Sequence, residues 1–81
     1  MAQVPDLRIK KQPTQGRAKA TVEALLDSAA QLLASEGYAA VSTNRVAERA
    51  GVSIGSLYEY FPNKQALIAE ALARALREVV A

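Results

Sequence analysis

Residues 43–61 read TNRVAERAGVSIGSLYEYF, and the parsing of this stretch decides the fold. Val46, Ala47 and Ala50 recur at helical spacing and predict a short helix over 43–50. Ser42 precedes it as an N-cap, because its hydroxyl can accept from an amide of the first turn. Gly51 supplies a residue that tolerates positive φ and ends the helix. Val52 follows as an apolar plug. Ser53 then caps a second helix over 54–61, anchored by Leu57 and Phe61 four residues apart. Ala47 is small enough to let the two helices cross closely. Helix, three-residue turn with glycine, helix is the grammar of a helix-turn-helix.

Upstream, Val22, Leu25, Leu26, Ala29, Leu32 and Leu33 form one apolar stripe, predicting a helix over 17–36. Gly37 is expected to close it in a left-handed C-cap, with Tyr38 folding back on the stripe. Downstream, Pro62 prevents easy continuation and Asn63 caps a helix from Lys64. That helix carries Leu67, Ile68, Ala71, Leu72, Ala75, Leu76, Val79 and Val80. Its apolar pattern is still running at Ala81, so the expectation is a truncated fourth helix in a parent that continues. Residues 1–16 contain Pro5, Pro13 and Gly16, lack periodicity, and are expected to form an arm; the folded domain is then 17–81. No strand pattern or internal repeat appears, and the fold class is all-α: three helices with a helix-turn-helix, plus the start of a fourth.

Composition narrows the chemistry. Eighty-one residues allow one small domain. With 51% hydrophobic and 5% aromatic residues, the core must be built mainly of Leu, Val, Ile and Ala. The absence of Cys and His removes disulfides, thiolate sites, the commonest general base and the commonest metal ligand. No acidic pair forms a convincing acid–base site, and Glu23, Asp27, Glu36, Glu48, Glu70 and Glu78 read as solvated faces and intrahelical pairs. An enzyme is disfavoured, and no cofactor or metal is expected. No secretory signal or membrane span is legible, which makes the cytoplasm the expected location. The net charge of +2 is uneven. Residues 1–19 set five basic side chains against Asp6, for +4, while residues 20–81 set five against seven acids, for −2. A basic arm on a slightly acidic body fits either a polyanion-seeking extension or a solubilising tail.

The runs LLDSAAQLLASEGYAAVS (25–42) and RVAERAGVSIGSLYEYFPNKQAL (45–67) resemble the N-terminal domain of the TetR family of transcriptional repressors. The AGVS turn, the LYEYF block and the lysine three residues after Phe61 carry the resemblance. It implies sequence-specific binding of double-stranded DNA, with the helix over 54–61 in the major groove. Thr43, Tyr58, Tyr60 and Lys64 match phosphate-contacting positions, and Asn44, Ile54, Gly55 and Ser56 match groove-facing ones. It further implies a homodimer on a palindromic operator, with a small-molecule inducer acting through a C-terminal domain outside this chain. Asn44 and Ile54 stand where long polar or charged residues are common, and Glu59 brings a negative charge to the recognition helix.

Each position also has a plainer reading. Tyr58 and Tyr60 flank the Leu57–Phe61 stripe and are expected half in and half out, as phosphate contacts or as core filler. Ile54 lies three residues before Leu57 and either joins the core or meets a thymine methyl. Ser53 is a cap first and a DNA contact second. Arg45 and Arg49 either pair with acids or reach phosphate, Arg45 being the better candidate. Lys64 is mildly disfavoured by the positive end of its helix dipole, which makes an anionic partner more plausible. The competing function is a helical interaction module that uses the exposed stripe of the last helix.

Overall fold

A computed structural model describes residues 16–80. Four α-helices run α1 (Gly16–Glu36), α2 (Thr43–Ala50), α3 (Ile54–Tyr60) and α4 (Lys64–Val80), with a 3-10 turn over Tyr38–Ala40 and no strand among the described residues. The arm expected over residues 1–16 lies outside the described residues, apart from Gly16, which is already helical. The second helix begins and ends where its caps predict, and α3 stops at Tyr60, one residue short.

The joints follow from side-chain and glycine chemistry. Ser42 Oγ accepts from the Arg45 amide at 3.1 Å. Ser53 Oγ accepts from the Ser56 amide at 3.1 Å, and Asn63 Oδ1 from the Ala66 amide at 2.7 Å. Each cap satisfies a donor that the first helical turn leaves unpaired. Between α2 and α3 the chain makes a Schellman turn. Gly51 sits at φ 72°, ψ 30°, its N–H donates to Glu48 O, and Val52 N–H donates back to Ala47 O at 2.9 Å. Val52 packs on the core from there. Phe61 is extended (φ −126°, ψ 119°), the conformation a following proline imposes, and that ends α3.

The core is one cluster in which Leu25 and Leu32 of α1, Val41, Val46 of α2, Leu57 of α3, Phe61 and Leu67 of α4 are essentially inaccessible. Burying a side chain such as Phe61 contributes roughly 1.5–3 kcal/mol. α1 is the strut against which both α2 and α4 lie.

Two expectations at the end of α1 need correction. Gly37 is not a left-handed cap: at φ 87°, ψ 171° it occupies a region open almost only to glycine. Tyr38 does not fold back on the stripe: it is half exposed and outside the core cluster. The acids are also not confined to intrahelical pairs. Glu36 bridges to Arg45 of α2, and Asp27 of α1 to Arg74 of α4 at 2.7 Å.

Candidate nucleic-acid interface

The first turn of α2 and α3 are joined by side chains, while the start of α4 meets the turn between α1 and α2. Asn44, Ser53, Ile54, Gly55 and Tyr58 are exposed, while Thr43, Ser56 and Lys64 are half-buried. Ile54 stays outside the core, 37% exposed, although its spacing to Leu57 favoured burial. A Cβ placed on Gly55 would meet nothing within 4 Å, so the edge of α3 is open at that point.

Two hydroxyl pairs bracket this edge. Thr43 Oγ1 and Tyr58 OH lie 2.9 Å apart and tie the start of α2 to the middle of α3. Ser53 Oγ donates to Ser56 Oγ at 3.0 Å while accepting from the Ser56 amide. Each pair holds two hydroxyl protons and uses one internally, leaving one to donate outward. Such donors suit phosphate oxygens and base-edge acceptors alike.

Three expected site residues stand differently from the rest. Tyr60 is buried in the core at 6% exposure, whereas Tyr58 on the other flank of the stripe is 39% exposed; the symmetrical expectation for the two rings does not hold. Helical spacing places both beside Leu57, and only the packed core distinguishes them. Arg45 meets both Glu36 carboxylate oxygens, at 3.0 and 2.9 Å, and donates to Ala40 O at 3.0 Å, bracing α2 against the end of α1. The Arg45 guanidinium, by hydrogen bond first and by charge second, lowers the Glu36 pKa from its ordinary range. Arg49 donates from Nε to Gln31 Oε1 at 3.0 Å. Lys64 holds its Nζ 4.0 Å from the centroid of the Tyr38 ring, a contact with a residue outside the expected site.

A cleft of about 310 Å³ lies between Leu32, Arg45, Glu48 and Arg49. Among the described residues no group of three or more His, Cys, Asp or Glu gathers to hold a metal, and no helix is long and apolar enough to cross a membrane.

Residues 25–71 match the family profile described as bacterial regulatory proteins, tetR family. The chain belongs to the TetR family. The match contains every expected site residue from Thr43 to Lys64, and with them the helix-turn-helix and its caps. TetR-family proteins are non-enzymatic DNA-binding transcription factors. This TetR-family chain is similar to the HTH-type transcriptional repressor KstR of Rhodococcus jostii, at 46% identity over 55 residues, covering 68% of the chain and 26% of that protein. It is similar to KstR of Mycolicibacterium smegmatis at 42% over 55 residues, covering 68% and 27%. It also resembles the uncharacterized HTH-type transcriptional regulator YvkB of Bacillus subtilis at 44% over 48 residues, covering 59% and 25%. The chain thus spans about a quarter of the length of these relatives.

Proposed function

We propose that this chain binds double-stranded DNA sequence-specifically and serves as the operator-reading part of a ligand-responsive repressor. The observation that carries the reading is the pair of hydroxyl couples, Thr43–Tyr58 and Ser53–Ser56, flanking the open Ile54–Gly55 edge of α3. A helix such as α3, about 10–12 Å across with its side chains, fits a major groove about 12 Å wide. Thr43, Tyr58 and Lys64 would fix register on phosphates, while Asn44, Ile54, Gly55 and Ser56 select bases. Ser53 serves mainly as the cap. Arg45 and Tyr60 support the surface from behind, Arg45 through Glu36 and Tyr60 through the core.

The wider setting belongs to the same proposal. A homodimer would place two such heads on the half-sites of a palindromic operator, about one helical turn apart. An inducer would act through a further domain, for which the length of the relatives beyond the matched segment is the support. The two relatives named above as repressors favour repression, in the cytoplasm where bacterial DNA lies. A role in assembly is favoured by α4, whose Leu72, Leu76, Val79 and Val80 are at least half exposed along one side. It accompanies DNA binding rather than replacing it.

The test is titration of the chain with duplex DNA at several salt concentrations. Affinity should fall as salt rises, by roughly one power of salt concentration for each cation that meets a phosphate. Thr43→Val and Tyr58→Phe should weaken binding to all duplexes alike, whereas Asn44→Ala and Ser56→Ala should change sequence preference. Salt-insensitive binding, or four variants indistinguishable from the parent, would overturn the assignment.

A further inference from the structure

Tyr38 is a large side chain that the fold neither buries nor pairs with an acid. It opens the 3-10 turn between α1 and α2 and is half exposed. Its ring lies under the Lys64 ammonium, 4.0 Å from centroid to Nζ, well inside the ~6 Å reach of a cation–π contact. Among the described residues Lys64 enters no ion pair. It is also the first residue of α4, where the helix dipole disfavours a cation. The negative face of the ring supplies the local compensation.

The platform is itself held in place. Gly37, in a conformation open almost only to glycine, leads into the turn. Ala40 N–H donates to Gly37 O at 3.2 Å and Val41 N–H to Tyr38 O at 3.1 Å. Arg45 fastens the far end of the turn through Ala40 O and ties it to Glu36. A lysine on a four-carbon stem ordinarily samples many rotamers and must lose that freedom to hold one phosphate. Here one side of the ammonium already rests on the ring of a residue whose backbone turn is hydrogen-bonded in place.

We infer that Tyr38 is a positioning residue for DNA binding: its ring pre-sets the Lys64 ammonium for a backbone phosphate of the duplex. This rests on the proposed role of Lys64, and the experiment separates the two. Duplex affinity is measured for the parent chain, Tyr38→Leu, Tyr38→Phe, Lys64→Gln, the Tyr38→Leu/Lys64→Gln double variant and Tyr58→Phe, with circular dichroism melts confirming that each is folded. Lys64→Gln should weaken binding and reduce the salt slope by about one. Tyr38→Leu should weaken binding roughly 2–5-fold, the equivalent of one exposed cation–π contact. Tyr38→Phe, which keeps the ring, should restore most of that loss. In the Lys64→Gln background Tyr38→Leu should have no further effect. The ring-current displacement of the Lys64 side-chain proton shifts should vanish in Tyr38→Leu and persist in Tyr38→Phe. Equal losses from Tyr38→Leu in both backgrounds would overturn the inference, as would no loss in the parent. A silent Lys64→Gln would overturn it too, and weakened binding by Tyr58→Phe in that same series would show that the DNA interface survives without the lysine contact.

Discussion

Gly55 and Gly51 show how differently one residue type acts within four positions. Gly51 adopts φ 72° in a turn where an added Cβ has room, so its role is conformational, and a left-handed alanine there costs about 1–2 kcal/mol. Gly55 lies in the first turn of α3 without a positive φ, and its surroundings are also open. Gly55→Ala should therefore raise stability by about 0.4–1 kcal/mol, read as a higher melting temperature, because it restricts the unfolded chain. The same methyl would project from the edge proposed to approach base pairs, and duplex affinity or preference should change against the gain in stability. A variant that is both more stable and unaltered toward DNA would place Gly55 outside the contact surface. At this scale the sequence was only partly legible. Caps and turn glycines act on neighbours within three or four positions, so Ser42, Gly51, Ser53 and Asn63 could be read directly. Tyr58 and Tyr60 could not be told apart, since their difference lies in which ring meets the Leu57–Phe61 cluster.

At the scale of elements, the periodicity of Val22 through Leu33 and the cap residues located all four helices within a residue at the ends they defined. The 3-10 turn over Tyr38–Ala40 escaped, because three residues carry no period and its direction is set by the conformation of Gly37. The bridges between helices also escaped, since spacing along the chain cannot reveal that Glu36 faces Arg45 across a turn. That bridge has a pH signature. The arginine depresses the folded-state pKa of Glu36, so its stabilising effect is complete above the glutamate value of the unfolded chain. It is lost as pH falls through the lower, folded value. Denaturant melts should show the parent more stable than Glu36→Gln at neutral pH, with the gap closing in acid below the ordinary glutamate range. A gap independent of pH would mean that the bridge does not brace α2.

At the scale of the molecule, α3 is too short to persist alone, since isolated helices below roughly 12–15 residues are marginal in water. It exists because Leu57, Tyr60 and Phe61 are locked in the common core with α1 and α4. The proposed reading surface and the hydrophobic core therefore form one cooperative unit. Loss of duplex binding and loss of helical signal should coincide on heating; binding that vanishes well before the melt would show that α3 detaches by itself. The reverse linkage also holds. If α3 reads DNA as proposed, only the folded state binds, and duplex DNA would act as a folding ligand for the chain. Every tenfold rise in free duplex beyond the dissociation constant should add about 1.4 kcal/mol to the work of unfolding. Under the proposed function, a bound duplex would therefore protect the chain from thermal unfolding and from proteolysis.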